Sequence, residues 1–384
     1  ATPALAAQTG SAELMGIVRD QSAVGVPGAH VTITHTATNQ TRRLLTDSAG
    51  LYAATGLPPG EYQVRVELAG FRPLVRSGVR LETGESARLE LELVVGAVTE
   101  TVTVSADTST LQAERATLGQ VIDEQRIVEL PLNGRTFIAL AALAPGVALP
   151  PGSQLPRING GRPRVNEYLY DGISVLQPEP GQVAFFPVID AIQEFRIESN
   201  SPPAEFGRFN GGVVNLATKS GSNAFRGTAF EFLRHESLNA RNVFASGDPV
   251  KPRFRRNQFG GVLGGPIRPD RTFFFVDYQG QRQTIGRTVI STVPTLLQRR
   301  GVFTEAVAGR VPVIYDPATT ATIGTSTTRS PFQDNVVPVD RVDPVARVLM
   351  ERYPLPTSGG TANNYRRVAD EINDQNQFDI RIDQ

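Results

Sequence analysis

From Ala12 to Val95 apolar and polar residues alternate in short runs separated by Gly/Pro turns. Met15-Gly16-Ile17-Val18 opens the series, and Val24-Gly25-Val26-Pro27-Gly28 turns into Ala29-His30-Val31-Thr32-Ile33-Thr34. Asp47-Ser48-Ala49-Gly50 and Leu57-Pro58-Pro59-Gly60 read as turns, because Asp, Ser, Pro and Gly each favour turn backbone. Beyond them Tyr62, Val64, Val66 and Leu68 point one way, and Gln63, Arg65 and Glu67 the other. Leu89, Leu91 and Leu93 alternate in the same manner with Arg88, Glu90 and Glu92. Period-two alternation with one apolar face predicts an antiparallel sheet packed on one side. Several such strands in one segment predict an Ig-like β-sandwich.

From Leu111 to about Asn223 the pattern mixes periods. Asp123 to Leu130 is helix-like and stops at Pro131. Thr136 to Leu143 predicts a helix ended by Pro145-Gly146. Tyr168-Leu169-Tyr170 leads into Asp171-Gly172, a tight-turn pair. Ile189 to Glu194 predicts a short helix passing into the strand Phe195-Arg196-Ile197-Glu198, and Val213 to Lys219 predicts another strand. This is an α+β domain. Phe225 to Arg234 then reads as a strand, and Asn257 to Pro266 and Thr272 to Tyr278 as a hairpin around Arg268-Pro269-Asp270. Taken alone, the Phe-rich second strand reads as buried in a soluble core. Gln377 to Asp383 starts a fourth strand.

Composition narrows the function. Lys+Arg and Asp+Glu stand at 38 each among 384 residues. A neutral chain lacks the excess positive charge that nucleic acid requires. The 36 Gly and 28 Pro break helices often. No apolar run of about 18 residues occurs, so no transmembrane helix is predicted, although barrel strands would leave no such run. Cysteine is absent, which excludes disulfides, cysteine nucleophiles and Cys-type zinc sites. Ala4-Leu5-Ala6 before Ala7-Gln8 reads either as the tail of an export signal or as an Ala-rich terminus.

Ordered motifs give these segments a family likeness. Gly16-Ile17-Val18-Arg19-Asp20, Val26-Pro27-Gly28-Ala29, Thr46 to Tyr52 and Leu57 to Tyr62 resemble the carboxypeptidase-regulatory-like, transthyretin-like module. That resemblance implies a non-catalytic attachment of a fold also classed with carbohydrate-binding sandwiches. Asp123 to Ile127 with Leu130-Pro131-Leu132-Asn133-Gly134-Arg135 resembles the opening of a TonB-dependent transporter plug. Ile158 to Arg162, Tyr170 to Ile173, Ile192 to Phe195, Glu205 to Gly207 and Gly211 to Asn215 follow in the family's order, ending at Thr218 to Asn223. The set resembles the Oar-like subgroup, as do Asn257 to Pro266, Arg271 to Gln281, Thr292 to Thr295, Tyr315 to Pro317 and Asp343 to Ala346.

The expected architecture is mainly β. It has an N-terminal Ig/transthyretin-like β-sandwich, an α+β plug domain, and the first strands of an incomplete transmembrane β-barrel. Residues 1–11 are a signal-peptide remnant or disordered, 12–97 the sandwich, 98–106 a linker, 107–222 the plug and 223–384 the start of the barrel. Within the last, a long extracellular loop is expected at about 284–376. The resemblance implies a barrel of about 22 strands of roughly ten residues, which the residues after 222 cannot close. Open edges are unsatisfied in lipid, so the chain is expected to be a fragment that forms no pore by itself.

Within the linker, Glu100, Thr101, Val102, Thr103, Val104 and Ser105 stand where a TonB box would. Their extended, β-branched character suits pairing with a strand of TonB. The other reading makes them the last strand of the sandwich or the first of the plug. The resemblance implies TonB as periplasmic partner, outer-membrane lipid around the barrel, and a transported ligand: siderophore, oligosaccharide, peptide and vitamin remain open.

Enzyme chemistry finds no residues. His30, His35 and His235 are the only histidines, and no His-Glu-x-x-His, Gly-x-Ser-x-Gly or Walker A pattern occurs. No catalytic, metal or cofactor residue is expected. Two functions are weighed: TonB-dependent uptake across the outer membrane, gated by the plug, and a non-transporting cell-surface or periplasmic module that binds carbohydrate or protein. The second leaves the ordered plug motifs and the Phe-rich hairpin unexplained.

Overall fold

The computed structural model describes residues 11–96, 102–105, 118–130, 132, 134–151, 153, 155–177, 181–201, 206, 209–240 and 251–384. The N-terminal strands are β1 (Ala12–Asp20), β2 (His30–His35), β3 (Thr41–Leu45), β4 (Leu51–Leu57), β5 (Gly60–Glu67), β6 (Leu74–Leu81), β7 (Ser86–Arg88), β8 (Leu91–Leu93) and β9 (Val102–Ser105). One sheet runs β4-β1-β7, with β8 also on β1; the other runs β3-β2-β5-β6-β9. Leu14, Val18, Val31, Ile33, Tyr62, Val64, Val66, Leu81 and Leu93 fill the space between them, as the alternation requires. Two polar side chains fix this core. Thr46 Oγ1 accepts from Ala29 N at 2.8 Å and donates to Val26 O at 2.7 Å. The Tyr62 hydroxyl donates to Pro58 O at 2.6 Å.

The sheet is not wholly antiparallel. β7 and β8 both run parallel to β1, and β9 runs parallel to β6. The single alternating run expected over Leu89–Leu93 is split, because the chain crosses β1 at Gly16. A Cβ on Gly16 would sit 1.9 Å from Leu89 O, so this crossing demands glycine.

A third sheet has the order β10-β15-β16-β13-β14. Its strands are β10 (Leu118–Asp123), β13 (Glu167–Tyr170), β14 (Ile173–Ser174), β15 (Ile192–Asn200) and β16 (Val213–Thr218); the short pair β11 (Val147–Ala148) and β12 (Arg157–Ile158) lies apart. Helix α1 (Glu124–Glu129) is capped by Asp123, whose carboxylate accepts from Arg126 N at 2.9 Å. Helix α2 covers only Ile138–Ala141, shorter than expected. Phe137 turns into the core against Phe195 at 5.6 Å between ring centres, and Leu143 is left exposed. Ile189–Ala191 forms one 3-10 turn and the strand begins at once at Ile192.

A fourth sheet follows the chain, β17 (Arg226–His235), β18 (Phe254–Arg268), β19 (Thr272–Ser291) and β22 (Tyr365–Asp383), in that order. β19 and β22 run farther than the pattern predicts: residues 284–291 and 365–376 are strand, so the long connection spans 292–364. The proline-rich wording begins only at Pro294, and charged side chains alone do not interrupt a strand.

Two compact units are present: residues 1–230, 259–279 and 376–384, and residues 231–258 and 280–375. In the second unit, Arg253 pairs with Asp370 at 2.7 Å and Arg287 with Glu371 at 2.6 Å. Its long connection holds a hairpin of β20 (Ala321–Ile323) and β21 (Ser326–Thr328) and helix α3 (Pro344–Arg352). Asp343 caps α3, accepting from Val345 N at 2.7 Å, with proline in the first turn where its missing N–H costs nothing. Arg299 donates to the carbonyls of Met350 and Tyr353, and buried Asn364 exchanges hydrogen bonds with both backbone groups of Val293. The loop is thus pinned by polar side chains rather than by an apolar core.

Candidate functional site

Within the first unit the fourth sheet has two unlike faces. Phe225, Leu263, Tyr278, Phe378, Ile380 and Ile382 are exposed on one side. Aromatic pairs Phe225–Phe274 and Phe259–Tyr278 lie on that side at 6.2 and 6.4 Å. The other side is buried: Val262, Phe275 and partly buried Phe230 pack against Val188 and Ala191 from the turn before β15. An apolar outer face on strands that alternate with a contacting inner face is what a lipid-facing wall requires.

Charged groups lock the inner face. Arg381 on β22 donates to Thr218 O at 3.2 Å and Thr218 Oγ1 at 2.6 Å, and lies 3.5 Å from Asp171. Asp171 sits in the tight turn between β13 and β14 with φ +48°, and Gly172 follows at +82°, a two-residue hairpin turn with positive φ at both positions. Its carboxylate also accepts from Thr218 N at 2.9 Å and Thr218 Oγ1 at 2.5 Å. Arg135 pairs with buried Asp190 at 2.5 Å while lying 4.9 Å over the Phe230 ring.

The scattered motifs converge around the β15–β16 sheet. Asn166 receives Gly212 N at 3.2 Å and donates to Pro156 O at 2.8 Å. A Cβ on Gly211 would meet Asn166 Oδ1 at 2.1 Å, and one on Gly212 would meet Ile158 and the carbonyl of Glu198. Asn159 donates its side-chain N–H to Ser199 O. Gly211 and Gly212 therefore let the chain pass close to Asn166, Ile158 and the β15 backbone, whereas Gly160 supplies a positive φ, +74°, in the turn after β12. Sequence reasoning missed Asn166 and Arg381. Arg381 carries a usable signal, since it takes the inward parity among the apolar outward residues Phe378, Ile380 and Ile382.

Of the candidate coupling residues, Glu100 and Thr101 lie outside the described residues. Val102, Thr103, Val104 and Ser105 form β9, whose register on β6 is Leu74↔Val102, Val75↔Thr103, Arg76↔Val104 and Ser77↔Ser105. β9 is the last strand of its sheet, so one of its edges carries no partner strand among the described residues. The segments expected at residues 1–10, and the Pro131 and Asn133 positions of the plug's opening motif, also lie outside the described residues.

A sandwich followed by a small α+β domain packed on the inner face of an apolar-faced β wall defines a class: plugged outer-membrane β-barrels. Residues 13–94 match the carboxypeptidase regulatory-like domain, and residues 217–384 match the outer membrane beta barrel domain. The chain is 31% identical over 286 residues to the TonB-dependent transporter Oar of Myxococcus xanthus, covering 70% of this chain and 26% of that protein. It therefore spans about a quarter of the length of the relative it matches. Among solved structures, the outer membrane transporter YddB of Escherichia coli aligns over 46% of this chain and 27% of its own, at 19% identity and TM-score 0.36. The siderophore receptor PirA of Pseudomonas aeruginosa aligns over 46% and 30%, at 19% identity and TM-score 0.33. The chain belongs to the TonB-dependent transporter family, alongside Oar, and is a protein of the bacterial outer membrane.

Proposed function

We propose that this chain serves TonB-dependent uptake of a ligand across the outer membrane, with the domain of residues 107–222 as the gating plug and the sandwich of 12–97 in the periplasm. The observation that carries the reading is Arg381. It ties a wall strand to the end of β16 and to the Asp171 turn, beside the packing of Val188 and Ala191 on Val262 and Phe275, so the small domain is held against the wall's inner face. Glu100–Ser105 is the coupling segment, and its described part, Val102–Ser105, is an edge strand with one open side, able to take a TonB strand by main-chain hydrogen bonds. The 292–364 connection is extracellular and meets ligand first. The ligand itself is left as a class of solute taken up at the cell surface.

The test uses the chain in outer membranes and the periplasmic domain of TonB as probe. Val102→Pro removes a ladder N–H and resists extension of the strand by a partner. Capture of TonB is expected to fall strongly in Val102→Pro and to persist in Thr103→Val, which keeps β-branching and the N–H. Equal capture by parent and Val102→Pro would overturn the coupling assignment.

A further inference from the structure

One end of the sandwich is built from three turns, those between β2 and β3, β4 and β5, and β6 and β7. The register explains why they gather. His35 pairs with Tyr62 across β2 and β5, and Gly60 with Leu81 across β5 and β6, so the end of β2, the start of β5 and the end of β6 lie side by side. Neighbouring turns are then tied together. Thr36 donates its N–H and its hydroxyl to Glu61 O at 2.9 and 3.0 Å. The His35 ring stands edge-on to Tyr62, 4.9 Å between centres, and a Cβ on Gly60 would strike it. The end is one cross-tied surface.

Two of its turns meet the plug. Thr83, fully buried, donates its N–H and its hydroxyl to Glu194 Oε1 at 2.5 and 2.7 Å. Glu194 is itself buried, near the start of β15. Beside it Gln193 donates to Pro59 O at 3.2 Å. Gly84 lies over the next inward position of the strand, 3.6 Å from its missing Cβ to Arg196 Cδ.

The third turn meets the wall segment instead. Asn39 donates its side-chain N–H to Asp270 Oδ1 at 2.8 Å, and Asp270 stands in the turn between β18 and β19. The same oxygen accepts from Asn223 Nδ2 at 2.8 Å, and Asp270 N donates to Asn223 Oδ1 at 2.8 Å. Asn223 N in turn donates to Ala37 O at 3.0 Å. Asn39 and Asp270 both have positive φ, +56° and +60°, a backbone that Asn and Asp adopt more readily than most side chains.

We propose that the sandwich is a brace between plug and wall: its three-turn end grips β15 and the β18–β19 turn at once, and β15 shifts against the wall only when the Asn39 contact opens. The direct contacts of the wall reach the end of β16, through Arg381, and the turn before β15, through Val262 and Phe275; the brace adds a hold on β15 itself. Its wall side is the one that opens first. The Asn39–Asp270 bond is exposed, and water replaces its partners at little cost. Parting Thr83 from Glu194 would leave buried polar groups unpaired. The brace rests on reading residues 107–222 as the plug, and not on the coupling role of Glu100–Ser105.

Hydrogen exchange of the full chain in detergent, followed by mass spectrometry, reads β15 as the peptide 192–200. Asn39→Asp sets a carboxylate against Asp270, and Asn39→Gly deletes the amide; both residues suit a positive φ. Each variant is expected to speed exchange in that peptide at least about threefold, the loss of about one hydrogen bond. Exchange in β1, residues 12–20 of the sandwich, is expected to stay at the parent's rate. Asn39→Asp combined with Asp270→Asn exchanges donor and acceptor, and is expected to restore the parent's protection of β15. TonB capture is not read in this experiment, so its outcome stands apart from that of the coupling assignment. Parental exchange of β15 in both single variants, equal acceleration of β1 and β15, or no restoration in the double variant would overturn the proposal.

Discussion

Arg381 reaches from the final strand to Thr218, the last residue of β16, and bonds both its hydroxyl, at 2.6 Å, and its carbonyl, at 3.2 Å. Asp171 accepts from the same threonine on its other side. Arginine suits this place because its fork donates in several directions at once. The contact marks where plug and wall meet, and it occurs at the point where the chain passes from one to the other.

Arg381→Ala removes these donors and leaves the partly buried Asp171 carboxylate without its cation. The expected cost is about 1–3 kcal/mol, seen as a lower urea midpoint by circular dichroism in detergent. Arg381→Lys, with one compact donor group, is expected to fall between.

Thr46→Val tests the sandwich core by shape-preserving substitution. It strands the Ala29 N–H and the Val26 carbonyl, both now satisfied by Thr46 Oγ1 inside the protein. Loss of about 1–3 kcal/mol is expected, and the surface change Thr41→Val should cost far less. Thermal unfolding of the full chain in detergent reads the difference.

Ile380 lies on the exposed apolar face of the wall, and Asp379 and Arg381 on the inward parity. Ile380→Arg is expected to cost about 2–4 kcal/mol if placed near the bilayer midplane and to reduce the membrane-inserted fraction. Gln377→Arg, on the inward parity, should leave that fraction close to the parent's. Resistance of the membrane fraction to extraction by urea distinguishes them.

Much of the fold is legible in local pattern. Tyr62, Val64 and Val66 alternate with Gln63, Arg65 and Glu67, and the structure buries the first set as one face. Asp171-Gly172 announces its turn because two successive positive φ angles favour those residues. What pattern cannot show is which distant element covers a face. Glu194, Arg196 and Glu198 alternate with Phe195 and Ile197, and all three are buried because a turn more than a hundred residues upstream lies on that face. The same limit hides the parallel placement of β7, β8 and β9, since parallel neighbours are joined by long connections that leave no local mark. Thr136–Leu143 has helical periodicity, but packing of Phe137 on Phe195 leaves only four residues in α2.

The coupling role of Val102–Ser105 is the claim on which the functional account rests, and in-cell disulfide trapping addresses it directly. Single cysteines at Val102, Thr103, Val104 and Ser105 in the otherwise cysteine-free chain would be paired with a cysteine-bearing TonB in energised cells. Cross-links at two or more of these positions, and none at a control cysteine on Thr41 of β3, are the expected result. Absence of cross-links at all four, with TonB trapped elsewhere on the chain, would contradict the account.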